Sequence, residues 1–220
     1  MGLTVHHLGV SQSERIPFLC EELGVEYTLK LYKRAPTLAP DEYKALHPQG
    51  TAPVIQDGDV TLAESGACME YISRRFANGK LFVEPSDPAY ADFIYWWHWA
   101  NGTFQPTVGR VMMARAAGMA GDHWLVALGQ SRLKAALGEL NKRLGSHKWL
   151  AGEQFSAADV MLMFSLTTMR YWAPYSLDGY PGILGYIERV SRREAYQRAM
   201  KKSDPDMELV LGAEAPASIV

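Results

Sequence analysis

The chain has 220 residues, of which 48% are hydrophobic and 21% charged, a balance that excludes a disordered tract and allows one large domain or two small ones. Lysine and arginine total 22 against 24 aspartates and glutamates, a net charge of -2, so no overall field draws the molecule to nucleic acid or to an anionic membrane, and neither is an expected partner. No apolar run approaches the roughly 18 residues that span a bilayer, and the first residues lack the basic stretch and apolar core of a signal peptide, so a cytoplasmic location is expected.

In chain order, Leu3 to Leu8 reads as a short strand, and Gly9-Val10-Ser11-Gln12-Ser13 as a turn. Ile16, Phe18, Leu19 and Leu23 then recur at helical spacing, with Pro17 in the first turn, where a missing N–H costs least. Gly24 stops that helix, and Val25 to Leu31 alternates as a second strand, which makes a βαβ unit with a parallel pair. Lys33 to His47 holds the turn formers Pro36, Pro40 and Asp41 and a short helical piece over Glu42–Leu46. Asp57-Gly58 between Val54-Ile55 and Val60-Thr61-Leu62 signals a hairpin. Glu64-Ser65 opens a further helix that runs through Met69, Ile72 and Phe76 and ends at Asn78-Gly79. The order βαβ then ββα predicts an α/β, thioredoxin-like domain over residues 1–79, with a four-stranded mixed sheet.

Glu84-Pro85-Ser86-Asp87-Pro88 reads as the end of a linker over residues 80–88, and from 89 to 220 the period is helical almost throughout. Helices are expected over Ala91–Phe104, Pro106–Ala117, Trp124–Leu144, Ser156–Tyr171 and Gly182–Met200, an all-α C-terminal bundle of about five. The tail from Ser203, with Pro205 and Pro216, is expected to be irregular, with part of it folding over the front domain. Ser156-Ala157-Ala158-Asp159 has the form of a capping box, so Asp159 reads as structural rather than as a catalytic acid. Arg192-Arg193 with Lys201-Lys202 is the strongest local basic concentration and reads as the solvated face of a helix. Cys20 and Cys68 are the only cysteines; they form neither a disulfide framework nor a metal-ligand spacing and read as buried small hydrophobes.

Four segments carry a family resemblance: Val10-Ser11-Gln12-Ser13-Glu14-Arg15 with Leu19 to Tyr27; His47-Pro48-Gln49-Gly50-Thr51-Ala52-Pro53-Val54-Ile55; Leu62-Ala63-Glu64-Ser65-Gly66-Ala67 with Tyr71-Ile72; and Trp149-Leu150-Ala151-Gly152 with Phe155-Ser156-Ala157-Ala158-Asp159. In this order and at these distances the chain resembles the cytosolic glutathione transferases (GSTs) over nearly its whole length. It is most similar to a serine-type, theta-like branch found in fungi and bacteria. The resemblance implies glutathione as co-substrate, no metal, a small electrophile as second substrate, and a two-fold homodimer.

It also implies roles for particular residues. The bond before Pro53 is held cis, so that backbone beside it, at Ala52 and Val54, can pair with the glutathione peptide as an added strand. Glu64 and Ser65, at a helix start, suit the ammonium and carboxylate of a γ-glutamyl group. A hydroxyl at the first strand–helix turn stabilises the glutathione thiolate, from Ser11 or, alternatively, Ser13. Arg15 either steers the tripeptide or stabilises the helix start, and Gln49 binds the glycyl end or the backbone. Lys33 and Arg34 are cationic candidates for the glycyl carboxylate, or solvated surface. Trp96, Trp97, Phe104, Met112, Met113 and Tyr171 offer an apolar wall for the electrophile, while His98 and His123 read as core or surface. Reduction of disulfides or peroxides by the same thiolate, and glutathione binding without turnover, are the competing readings.

Overall fold

In the computed structural model, which describes residues 2–36 and 38–219, the first of two units comprises the chain up to Val83 together with Val190–Glu208. Its strands are β1 (Thr4–Leu8), β2 (Thr28–Tyr32), β3 (Val54–Asp57) and β4 (Val60–Ala63), and they form one sheet in the order β2-β1-β3-β4. β1 pairs parallel with β2, Thr4 facing Thr28, and antiparallel with β3, Val5 facing Ile55; β3 and β4 form the expected hairpin, turning at Gly58 with φ 58°. This is the mixed thioredoxin-like sheet that the order of elements predicts. β1 is central and buried on both faces, so that even His6 and His7 lie inside.

The helices of this unit are α1 (Arg15–Leu23), α2 (Asp41–Lys44), α3 (Ser65–Ala77) and α9 (Glu194–Ser203). A 3-10 turn over Gln12–Glu14 leads into α1, and Gly24, at φ 67°, caps its end as the sequence predicts. α9 packs along α1, where Tyr196 meets Phe18 edge to face at 5.1 Å. Of the basic residues near the end of the chain, Arg192 and Lys201 are exposed as expected, but Arg193 and Lys202 are held in ion pairs. Arg193 grips both oxygens of Glu22 at 2.5 and 2.7 Å, and Arg198 and Lys202 reach Glu21 at 2.8 and 2.5 Å. The two glutamate side chains are about nine-tenths covered, so these contacts neutralise charge that burial would otherwise penalise.

The second unit, Glu84–Arg189 with the chain from Leu209, is helical. It holds α4 (Tyr90–Trp99), α5 (Gln105–Ala116), α6 (Trp124–Ser146), α7 (Ala157–Leu166) and α8 (Pro181–Ser191), the chain passing back to the first unit at Val190. Three boundaries differ from the sequence expectation, the helix expected to run to Tyr171 ending at Leu166 before a 3-10 turn over Thr168–Tyr171. α4 and α5 do not break before Pro106; a π-helical segment, Ala100–Phe104, joins them, and its altered hydrogen-bond spacing lets the helix continue through Pro106. The single helix expected over Gly182–Met200 is two, α8 and α9, parted at Arg192-Arg193.

α7 is the centre of this unit, with all ten residues buried. Its capping box forms as expected: Asp159, fully buried, accepts from the Ser156 N–H at 2.8 Å, the Ser156 hydroxyl at 3.0 Å and the Leu150 N–H at 3.0 Å, and the Tyr186 hydroxyl adds a fourth bond at 3.1 Å. The tail contains no helix or strand from Asp204 to Ile219, among the described residues. Buried Arg170 fixes it by donating to the carbonyls of Gly212, Ala213 and Glu214.

Candidate functional site

Three segments of the first unit meet around the turn that follows β1. Ser11 is the N-cap of the 3-10 turn and accepts from the Ser13 N–H at 3.2 Å. The next residue, Gln12, donates from Nε2 to the Ala52 carbonyl at 2.7 Å, which ties this turn to the loop before β3. Arg15, the first residue of α1, donates from Nη1 to Ser65 Oγ at 3.2 Å and so ties the turn to the start of α3. Burial disfavours the Arg15 charge, Glu14 opposes that, and the guanidinium places positive charge beneath the first turn of α3.

The Ala52–Pro53 bond is cis. The open backbone beside it lies at Ala52, not at Val54: Val54 is fully buried within β3, in register with His6 on one side and Ala63 on the other. The Ala52 N–H has no partner among the described residues. Glu64 precedes α3 with φ 73° and ψ 125°, an uncommon backbone for a non-glycine residue, and its side chain is exposed while Ser65 is buried. Gln49 is exposed, with its backbone N–H turned onto His47 Nδ1 at 3.3 Å.

The two serines differ in depth and in partners. Ser13 Oγ is fully buried and lies 2.9 Å from His7 Nδ1, 3.1 Å from the Leu8 N–H and 2.7 Å from Ser11 Oγ. Ser11 is buried too, though as a residue it keeps 6% of its surface, and its Oγ reaches the Leu8 carbonyl at 2.6 Å. Behind them His7 Nε2 lies 2.8 Å from Asp204 Oδ2, and Asp204 Oδ1 accepts the Val10 N–H at 2.8 Å. Val10 itself has φ 51°, a genuine outlier for a β-branched residue. Arg34 donates to the Gly9 and Val10 carbonyls at 2.8 and 3.0 Å, so it holds this turn instead of facing outward; Lys33 is exposed.

The sequence reading missed His7, Gln12 and Asp204. Two histidines in a strand buried on both faces were a usable signal for the first. Asp204, 197 positions from its partner, carried none.

Most of the expected apolar wall is helix packing. Trp96, Trp97 and Phe104 are buried, with Trp96 against Trp99 at 5.0 Å, Trp97 stacked on Phe93 at 6.1 Å and Phe104 stacked on Trp99 at 5.2 Å. Met112 and Met113 instead line a groove of about 580 Å³ between α5 and α6, with Met119, Leu125 and Leu128, and Tyr171 is half-buried after α7. Both cysteines are inert. Burial pushes the Cys20 thiol far up and the Cys68 thiol up to about 12, the second with help from Glu64. No group of three or more metal-ligating side chains occurs among the described residues, and no helix among them is long and apolar enough to cross a membrane.

Residues 11–75 match the family model for the N-terminal domain of glutathione S-transferase, and residues 115–189 match that for its C-terminal domain, together more than half of the chain. The chain belongs to the glutathione S-transferase family. Among its GST relatives, glutathione S-transferase 3 of Schizosaccharomyces pombe is 29% identical over 91% of this chain and 87% of the relative. A crystal structure of a GST from Actinobacillus pleuropneumoniae superimposes with a TM-score of 0.80 at 30% identity, covering 92% of this chain and 93% of that one. The disulfide-bond oxidoreductase YfcG of Escherichia coli is 25% identical over 74% of this chain and 77% of its own. The GST fold thus carries the cis-proline loop, the α3 start and the serine turn as neighbours.

Proposed function

We propose that the protein is a glutathione transferase of the serine type, in which the Ser11 hydroxyl supports the glutathione thiolate for attack on a small hydrophobic electrophile. The observation that carries this is the convergence of three segments: Gln12 bonded to Ala52, Arg15 bonded to Ser65, and Ser11 at the head of the same turn, one residue before the first of these ties. The free N–H groups and hydroxyl at Ser65 suit the γ-glutamyl carboxylate, Glu64 its ammonium, and the Ala52 backbone the cysteinyl peptide. An ordinary thiol ionises near 8.5, so one hydrogen bond from Ser11, with the N–H groups of the helix start behind it, raises the thiolate fraction at neutral pH. The complete burial of Ser13 favours Ser11 as the residue that meets the ligand, with Ser13 bonded behind it. Met112, Met113 and Tyr171 are the members of the apolar set left with open surface.

Ultraviolet titration of bound glutathione tests this reading. The wild type should show the thiolate band at a pH well below that for free glutathione, and Ser11→Ala should move it back up by about one unit, equivalent to ~1.4 kcal/mol. An unchanged band and unchanged turnover in Ser11→Ala would remove Ser11 from the mechanism.

The YfcG relative favours a second reading, reduction of disulfides by the same thiolate. Because Cys20 and Cys68 are buried, that exchange would run between glutathione sulfurs rather than through a protein thiol. Turnover of a mixed glutathione disulfide without transfer to any electrophile would select it. Pairing with a second copy of the chain and a cytoplasmic location rest on the family resemblance, and the first is checked by sedimentation.

A further inference from the structure

Four side chains form a continuous hydrogen-bonded line from the inside of the first unit to the candidate site. Asp204 Oδ2 lies 2.8 Å from His7 Nε2, His7 Nδ1 2.9 Å from Ser13 Oγ, and Ser13 Oγ 2.7 Å from Ser11 Oγ. His7 and Ser13 are fully buried, and Ser11 and Asp204 are less than a tenth exposed.

The protons in this line can be assigned from valence. A carboxylate only accepts, so Asp204 fixes the tautomer of His7 with its proton on Nε2 and a lone pair on Nδ1 facing Ser13. Ser13 has one proton and two acceptors within reach, that lone pair at 2.9 Å and the Leu8 carbonyl at 3.3 Å, and the shorter contact takes it. The two remaining acceptor positions of Ser13 Oγ take the Leu8 N–H and the Ser11 hydroxyl. Ser11 Oγ accepts the Ser13 N–H, which leaves one lone pair for a donor from outside the chain. The Leu8 carbonyl, 2.6 Å from Ser11 Oγ, is the competing acceptor for the Ser11 proton.

We infer that His7 is the acceptor of the glutathione thiol proton, delivered through Ser11 and Ser13, and that Asp204 stabilises the imidazolium so formed. The inference rests on the reading of Ser11 given above. In the step, the S–H bond breaks as its proton bonds to Ser11 Oγ, the Ser11 proton passes to Ser13 Oγ, and the Ser13 proton passes to His7 Nδ1. Three bonds to hydrogen break and three form, the thiol becomes a thiolate and neutral His7 becomes a cation facing the Asp204 carboxylate. Ser11 ends with its new proton directed at the thiolate. The charged groups around His7 are Asp204 from the end of α9 and, on the far side of Asp204, Arg34, whose guanidinium is committed to the Gly9 and Val10 carbonyls. His7 and Asp204 are positioning and proton-storing residues, and only Ser11 touches the substrate.

The same aspartate grips the strained Val10 peptide, one residue before Ser11. One carboxylate therefore fixes both the path of the proton and the backbone that aims its last carrier, and strain of this kind is typical of functional turns.

The test is a proton count on the whole chain. Glutathione is titrated calorimetrically at one pH in buffers of different ionisation enthalpy, and thiolate is measured in the same samples by its ultraviolet band. With His7 as acceptor, thiolate appears while almost no proton reaches the buffer; a donor-only serine site releases about one proton per thiolate. In Ser13→Ala and in Asp204→Asn, the latter keeping an acceptor for Val10, the thiolate fraction should fall, whatever thiolate remains should release its proton to the buffer, and kcat should drop on the order of 10²-fold with KM for glutathione little changed. One proton released per thiolate by the wild type overturns the relay without any variant. If Ser11→Ala still loses thiolate in that case, Ser11 stands and only the relay falls. A thiolate band unchanged in Ser11→Ala overturns both.

Discussion

Glu64 holds a backbone conformation, φ 73° and ψ 125°, that costs a non-glycine residue about 1–3 kcal/mol, and it does so on the surface, where nothing about packing requires it. The conformation turns the chain from β4 into α3 and leaves the carboxylate exposed beside the first N–H groups of that helix. Glu64→Gly should separate the two consequences: thermal stability holds or rises, by up to about 1 kcal/mol, as the strain is relieved, while affinity for glutathione falls about tenfold with the loss of the ammonium partner. Calorimetric melting and binding on the same variant check both. At this scale the sequence was informative where function is local. Ser11, Pro53 and Ser65 announce themselves through their neighbours in the chain, and the structure brings their segments together. Asp204 does not, because its role exists only through a contact with His7 that no local pattern encodes. Val54 is hard to read for a related reason: which side of a cis bond stays open depends on strand pairing on both flanks.

The capping box of α7 makes an element-scale prediction. Burial pushes the Asp159 carboxyl up from an ordinary value near 3.8 to about 6, against the pull of its hydrogen bonds from Leu150, Ser156 and Tyr186. A carboxyl raised in the folded state binds its proton more tightly there than in the unfolded chain, so its contribution to stability is largest below the unfolded value and is lost as pH rises through the folded one. Asp159→Asn, without a titrating proton, should therefore gain on the wild type by up to ~3 kcal/mol as pH rises from about 4 to 7, on top of a constant loss from the weaker cap. Urea unfolding at several pH values measures the difference, and a flat difference would show that the hydrogen bonds hold the carboxylate ionised throughout. Cap and helix were both legible in Ser156-Ala157-Ala158-Asp159. The breaks were less so. Helical periodicity runs on through Arg192-Arg193 with no proline or glycine to mark the gap between α8 and α9, while Pro106 reads as a stop although the π-helical segment before it absorbs the missing hydrogen bond.

For the whole molecule, the sequence period separates sheet-bearing from helical stretches near residue 80, but not the return of Val190–Glu208 to the first unit. Tyr196 is fully buried against Phe18, so Tyr196→Ala should cost ~3–5 kcal/mol and lower glutathione affinity through the unit that holds Ser11, although residue 196 is remote from it in sequence. Denaturant unfolding followed by Trp fluorescence, with glutathione binding measured alongside, would detect this; full affinity beside lost stability would place α9 outside the site's support. The same return has a consequence during synthesis. A ribosome makes β1, α1 and the serine turn first, yet the helix that covers α1 and the carboxylate that grips His7 and Val10 follow much later, Asp204 lying 197 positions beyond His7. Until then the nascent chain carries Glu21 and Glu22 without their arginine and lysine partners, and the Ser11 turn without its anchor. Assembly of the Ser11 turn should therefore wait until α9 and Asp204 have been made.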